Sequence, residues 1–318
     1  MESILPDVES YQAETGSIRL RMLDVLAKSP WNGASFTHDI PGLSLYRVVE
    51  PAGPFFSLFE PSISVIISGS KRVRIGDETF VYDASHFFLA TVGVPMTGQI
   101  CEASMVEPYV AARLRLDLDA LRRLIADHDL YPTDTSDRER GVVVGTVTPE
   151  LYDAFRRLIS LVNSPGDIPF MAGHIQNEIY YRLLKGEHGA RLRRFALAGT
   201  NSNRVAKAVA WLKENYTLPL RVEELADMAN MGVSTLHHHF RAMTAMSPLQ
   251  FQKHLRLNRA RELMLSGSLD AATAALRVGY ESPTQFSREY RRMFGHPPLR
   301  DVKAILNSGD TANRSSVG

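Results

Sequence analysis

Two textures alternate along the chain. From about Pro41 to Leu116, short apolar runs (SLYRVV, PSISVIISG, KRVRIG, TFVYD, HFFLATVG) sit between prolines and glycines. Val65 and Ile67 alternate with Ser64 and Ser68, and Val73 and Ile75 with Arg72 and Arg74. A period of two sends neighbouring side chains to opposite faces, so this stretch predicts antiparallel strands forming a small barrel or sandwich. Elsewhere the spacing is helical. Ser10–Ala27 predicts an amphipathic helix with Ile18, Leu20, Leu23 and Leu26 on one face. After Asp117, LDALRRLIADHDL predicts one helix. TPELYDAFRRLISLVNSP predicts another, opened by Thr-Pro and closed before Pro165. FMAGHIQNEIYYRLLKGEHGARLRRFA reads as a longer helical stretch, and LAGTNSN (Leu197–Asn203) as a linker. From Arg204 to about Phe294 the pattern is helices with short turns, and the tail after Leu306 reads as disordered.

The helical final third contains a near-repeat. In VEELADMANMGVSTLHHHFRAMT, Ala226 falls where two helices would cross and Asn230 falls at the turn, where a left-handed backbone is needed. Leu236 and Phe240, four apart, would pack the second helix onto the first. In DAATAALRVGYESPTQFSREYRRMF, Ala275 matches Ala226, Gly279 matches Asn230, and Tyr280 matches Met231. Phe286 and Tyr290 match Leu236 and Phe240 if the second turn has one extra residue. Two helix-turn-helix units therefore recur in register. Between them lies PLQFQKHLRLNRARELML (Pro248–Leu265), a helix opened by proline. At ~1.5 Å per residue it would be a rod of about 27 Å, against about 34 Å between successive major-groove faces of B-DNA.

Length and composition keep this picture globular. The 318 residues suggest two domains, and 44% hydrophobic residues are enough for sizeable cores. No apolar run is long enough to span a bilayer, and MESILPDVES has no secretory-signal character, so a cytoplasmic location is expected. The overall charge of +1 conceals a contrast: residues 199–305 carry +6 and residues 1–198 carry −5. A basic module on an acidic body points to a polyanionic partner for one end. A single cysteine, Cys101, can form neither an internal disulfide nor a cysteine zinc site; it is either a half-buried small residue or a redox sensor.

The motifs VEELADMANMGVSTLHHHFRAMTAMSPLQFQKHLRLNRAREL and LRVGYESPTQFSREYRRMFGHPP closely resemble the DNA-binding domain of AraC/XylS-type regulators. In the second, Gly279, Ser282, Phe286, Ser287, Arg288, Tyr290, Phe294, Gly295 and Pro297 carry the likeness; Asn230 departs from the small residue usual in the first. The segments PSISVIISGSKRVRIGDETFVYDASHFFLATVGVPMTGQI and EPYVAARLRLDLDALRRLI resemble the cupin-like N-terminal domain of some of these regulators. The resemblance implies an α+β chain. A cupin-like β-barrel or sandwich with flanking helices would occupy residues 1–197, a double helix-turn-helix domain with a linker helix residues 198–306, and a disordered tail residues 307–318. It further implies double-stranded DNA as partner, a small-molecule effector in the first domain, and dimerisation through helices after the barrel; the mixed apolar faces of Pro149–Val162 and Phe170–Leu192 make them the candidates, although burial against the barrel explains those faces nearly as well. RNA polymerase is a further candidate partner.

The exposed faces of the two second helices would touch DNA: Ser234, Thr235, His237, His238 and Arg241 in the first unit, and Ser282, Thr284, Gln285, Ser287, Arg288, Arg291 and Arg292 in the second. Arginine reads guanine, glutamine reads adenine, and short hydroxyls reach bases or phosphates. His238 and Arg288 align in the repeat and are the expected base contacts, with Arg291 and Arg292 as phosphate or solvated positions. Three adjacent histidines, His237 to His239, point about 100° apart and do not converge on one metal ion. A metal-dependent cupin enzyme is the rival reading. The barrel region, however, has only the separated His38 and His86, and the chain has no phosphate loop and no Gly-x-Ser-x-Gly. No catalytic residue, metal or cofactor is assigned. Phe56, Val65, Ile67, Val73, Ile75, Tyr82 and Phe88 are the candidate lining of an effector pocket; were they simply packed, the domain would be a ligandless dimerisation module.

Overall fold

The computed structural model describes residues 8–31, 33–36, 38–131, 140–197 and 199–314, with side chains between residues 13 and 306. A first helix, α1 (Val8–Ala27), precedes eight strands: β1 (Leu43–Val48), β2 (Ala52–Phe59), β3 (Ser62–Ser68), β4 (Ser70–Ile75), β5 (Glu78–Asp83), β6 (His86–Ala90), β7 (Val94–Glu102) and β8 (Tyr109–Arg115). Then come α2 (Leu118–Asp127), β9 (Val142–Thr146), α3 (Pro149–Ser160), α4 (Ile168–Lys185) and α5 (Gly189–Ala196). The strands form two antiparallel sheets, β1-β8-β3-β6-β9 and β2-β7-β4-β5, so the domain is an open sandwich and not a closed barrel.

Burial explains the strand patterns. In β3, Ile63, Val65 and Ile67 pack into the apolar cluster formed with α1, α3 and α4, while Ser64 and Ile66 face the second sheet. With both faces covered, β3 reads as an almost continuous apolar run. The helical layer latches onto strand ends through hydroxyls: Tyr152 donates to the Ile66 and Ala84 carbonyls, and Tyr180 to the Arg115 carbonyl at 2.8 Å. Side-chain oxygens of Asp117 and Thr148 cap α2 and α3.

Several expectations change here. β9 lies in a stretch read as helical; it pairs with β6 at the sheet edge, and its VVVGT sequence is too short to show a period. The long helix expected over 170–196 breaks at Gly186, whose extended backbone ends α4 before α5 begins. In α1 the buried face is Ile18, Met22 and Leu26, whereas Leu20 is exposed.

The chain divides into two compact units within α6 (Asn201–Asn215), between Ala206 and Lys207. The expected linker is short, because Thr200 caps α6 by accepting the Asn203 amide. The second unit continues with α7 (Val222–Met228), α8 (Val233–Thr244), α9 (Pro248–Leu265), α10 (Ala271–Arg277), α11 (Pro283–Phe294) and α12 (Pro298–Arg314). The tail expected from residue 307 overlaps α12; residues 315–318 lie outside the described residues. Among the described residues no helix is long and apolar enough to cross a membrane.

The repeat is realised position by position. Ala226 and Ala275 are buried at the crossings, and Leu236, Phe240, Phe286 and Tyr290 are fully buried. Both turns are left-handed, at φ 54° for Asn230 and 91° for Gly279. α8 begins three residues after Asn230 and α11 four after Gly279, which accounts for the extra residue. At Gly279 a β-carbon would also run into the Thr217 carbonyl. Gly279→Ala is therefore expected to destabilise the second unit by about 2–4 kcal/mol, combining left-handed strain with steric overlap. Asn230→Gly should change stability by under about 1 kcal/mol. Urea unfolding followed by circular dichroism checks both.

Candidate functional site

The second helices of the two units present comparable solvent-facing stripes. On α8 Val233, Ser234, Thr235, His238 and Arg241 are exposed; His237 is half-buried and His239 is buried. On α11, Thr284, Gln285, Arg288, Arg291 and Arg292 are exposed, while Ser287 is half-buried. Ser282 serves as the N-cap, its hydroxyl accepting the Gln285 amide at 3.3 Å, so it shapes the start of the helix. Packing Phe286 and Tyr290 inward turns Arg288 outward, as packing Leu236 and Phe240 does for His238. None of Arg241, Arg288, Arg291 and Arg292 has an ion-pair partner among the described residues. Unneutralised cations on one exposed helical stripe suit a polyanion.

The linking helix holds these stripes in place. Ser247 and Gln250 close a capping box at its start. Gln252 donates to the carbonyls of Tyr216 and Leu218, and Arg256 to those of Tyr216, Thr217 and Leu218, tying α9 to the segment after α6. Towards the second unit, Lys253 pairs with Glu289 of α11 at 3.0 Å, and Tyr280 donates to the same carboxylate at 2.8 Å. These contacts hold the Glu289 carboxyl below its usual range despite burial. Asp301 of α12 accepts two bonds from the Arg261 guanidinium, at 2.8 and 3.0 Å, and one from the Tyr290 hydroxyl at 2.7 Å. The Arg261 guanidinium also lies 4.4 Å from the Phe294 ring centroid. Lys253, Glu289 and Asp301 went unnoticed in the sequence. Glu289 occupies the repeat position of His239, and that equivalence was the available signal.

In the sandwich, register separates the expected pocket residues. Val73 pairs with Phe80 and Gly98, and Lys71 with Tyr82 and Ile100, placing all of these on the inner face of the four-stranded sheet. Phe88 meets this face from the other sheet, stacked on Tyr82 at 5.4 Å and edge-on to Phe59 at 5.2 Å. Ile75 is buried on the same side as Val73. Val65 and Ile67, by contrast, point to the helical layer, and Phe56 pairs with Thr97 on the outer face. Val65, Ile67 and Phe56 thus leave the pocket set, because alternation shows that two faces differ without showing which is inner. Cys101 alternates with Ile100 and is half-buried.

Burial between the sheets pushes the Tyr82 and Tyr109 hydroxyls to higher pKa. Burial, aided by the nearby Arg113 charge, lowers Lys71 to about 8. Among the described residues, no group of three or more metal-ligating side chains comes together. His38 accepts the Ile40 amide, and His86 pairs with Asp83 at 2.8 Å on a separate segment.

An open strand sandwich with a helical layer, followed by paired helix-turn-helix units on one linking helix, defines a two-domain protein of the double helix-turn-helix class. Residues 39–191 match the family model for the AraC-type transcriptional regulator N-terminus, and residues 225–303 match that for a helix-turn-helix domain. The two matches together read as an AraC-type transcriptional regulator N-terminus followed by a helix-turn-helix domain. It is 27% identical over 160 residues to the HTH-type transcriptional activator RhaS of Salmonella schwarzengrund, covering 49% of this chain and 56% of that one. It is 32% identical over 120 residues to the HTH-type transcriptional regulator GbdR of Pseudomonas aeruginosa, covering 38% and 33%. The chain therefore spans about half, or less, of the length of these relatives. Its fold is similar to that of ToxT from Vibrio cholerae, solved with an unsaturated fatty acid bound, at a TM-score of 0.51 and 13% identity over 86% of this chain and 97% of that one.

Two outcomes follow. Asp301→Ala leaves Arg261 charged and half-sheltered and the Tyr290 hydroxyl buried without a partner; it should cost about 2–4 kcal/mol in urea unfolding. Lys71 pairs across the strands with Tyr82 and lies near Arg113, and in the folded chain its pKa falls to about 8, against 10.5 ordinarily. Between those values the unfolded chain holds a proton that the folded chain has lost, so this lysine's contribution to stability rises with pH. The tyrosines act in the opposite sense above about pH 10 and are common to wild type and Lys71→Met. The stability difference, wild type minus Lys71→Met, should rise by about 1–3 kcal/mol between pH 8 and 10.5.

Proposed function

We propose that the protein is a sequence-specific, cytoplasmic transcription regulator that binds double-stranded DNA through α8 and α11 and takes a small-molecule effector in its N-terminal domain. One observation carries this reading: the two repeat-related helices each expose a stripe of hydroxyl and cationic side chains, and the arginines of those stripes have no counter-ion among the described residues. His238 and Arg288, at equivalent positions, face bases; Arg241, Arg291 and Arg292 lie towards phosphates, with Ser234, Thr235, Thr284 and Gln285 beside them. His237, Ser282 and Ser287 border the stripes, with Ser282 acting mainly as a cap. Residues 1–197 form the effector and dimerisation domain, and residues 198–306 the DNA-binding domain.

The family supports a small-molecule effector, and ToxT, of similar fold, holds an unsaturated fatty acid. The pair of helices expected at a dimer contact divides. α3 is largely internal, whereas α4 exposes Phe170, Met171 and Tyr181, so a homodimer would use the outer face of α4. RNA polymerase is the natural further partner of a regulator bound at a promoter. The relatives are transcriptional regulators, and the separate engagements of His38 and His86 favour a regulator over a metal-dependent cupin enzyme.

Sites selected from random duplexes by the purified protein provide the test. Arg288→Ala should lose roughly 1–3 kcal/mol at the selected site and relax preference at one base position. Arg291→Ala should weaken binding evenly across sequences and reduce the log–log salt slope by about 1. Failure to enrich any sequence contradicts the reading.

A further inference from the structure

Two cations stand between the sheets where, among the described residues, no carboxylate pairs with them. Lys71 lies on the inner face of β4, in the same alternating row as the buried Val73 and Ile75. Arg113 lies on β8 opposite the row of Val110, Ala112 and Leu114, which belongs to the helical core. The guanidinium carbon is 5.3 Å from the Tyr46 ring centroid and 5.5 Å from that of Phe59; the Lys71 ammonium is 5.3 Å from that of Phe55. Neither cation has a hydrogen bond or ion pair among the described residues. The Tyr82 hydroxyl lies beside Ser64 in the same interior, buried and without a hydrogen bond of good geometry among the described residues. At Gly98 an added β-carbon would press on the Phe55 ring and the Lys71 stem, so the glycine lets both lie across β7.

Sheltered cations that repel one another cost stability, and rings alone compensate little of it. From this arrangement we propose that the sandwich interior, at Lys71, Arg113 and Tyr82, is the receptor site for a small aromatic carboxylate. The guanidinium fork matches a carboxylate, the ammonium supplies a second charge, and the tyrosine supplies a hydroxyl donor. Phe55 beside Lys71 and Tyr46 beside Arg113, both half-buried, offer ring faces to an aromatic body. Phosphate fits less well, because the surrounding amides are spent in strand ladders and form no anion nest. Tyr46, Phe55, Ser57, Lys71 and Arg113 are all half-buried, which places the mouth on the side of edge strands β1 and β2. The inference rests on the reading of this domain as an effector domain and gives that effector a chemical class.

Full-length protein titrated with benzoate, phenylacetate and 2-naphthoate, each beside its neutral amide, tests this by calorimetry without DNA. At least one acid should bind saturably, its amide at least about tenfold more weakly, and Lys71→Met and Arg113→Met should each weaken the acid about tenfold or more. Both variants remove an unpaired cation, so each should melt at or above the wild-type temperature without ligand, which separates lost binding from lost folding. The proposal is overturned if none of the three acids binds, if acids and amides bind alike, or if both variants bind unchanged. Decanoate is titrated alongside, and its binding alone would equally overturn the aromatic class. DNA affinity is read in a separate assay, so failure of the carboxylate site and failure of the DNA-binding reading are distinguishable.

Discussion

The second unit depends on one carboxylate. Asp301 collects Arg261 from the linking helix and Tyr290 from α11, and so fixes α9, α11 and α12 against one another. Without that junction α11 would pack only through its apolar side, which allows sliding and rotation; directional bonds to a largely buried acceptor allow neither. Lys253 and Tyr280, converging on Glu289, hold the same helix from its other flank, and Arg256 and Gln252 fasten the far end of α9 to the carbonyls after α6. The linking helix is thereby a spacer of set length and orientation, so that the outward direction of Arg288 is a property of the whole unit.

The same division of labour runs through α8 and α11. Apolar residues at the repeat positions decide which way each helix faces, and that choice leaves the arginines of the stripes outside, without acidic partners among the described residues. Within the sandwich the logic is inverted. Strand pairing places Lys71 and Arg113 inside, where a charge is costly unless something else comes to neutralise it. Exposed unpaired cations suit a polymer that arrives from solvent, whereas sheltered ones suit a ligand small enough to enter.

Much of the second unit was legible in the sequence because its determinants are local. Small residues at 226 and 275, turn residues at 230 and 279, and apolar pairs four apart can be read from spacing, and α9 matched its expected segment. The sandwich was legible as strands but not as faces. KRVRI shows that Lys71 shares a face with Val73 and Ile75, yet a lysine beside two arginines reads as surface charge. Phe55 and Phe56 differ only in parity, and it took the pairing with Gly98 and Thr97 to place the first inside and the second outside. β9 was missed because a five-residue edge strand joined far along the chain carries no period of its own. The contacts of Asp301 span 40 residues of sequence to Arg261, a distance over which no local pattern speaks.

The most direct measurement is hydroxyl-radical footprinting of the protein on a selected operator, comparing wild type with Arg288→Ala and His238→Ala. Two protected patches should appear on one face of the duplex, about 10 base pairs apart, with each substitution thinning a different patch. A single patch, or two that fade together whichever helix is altered, would contradict the account of two reading helices held at a fixed separation.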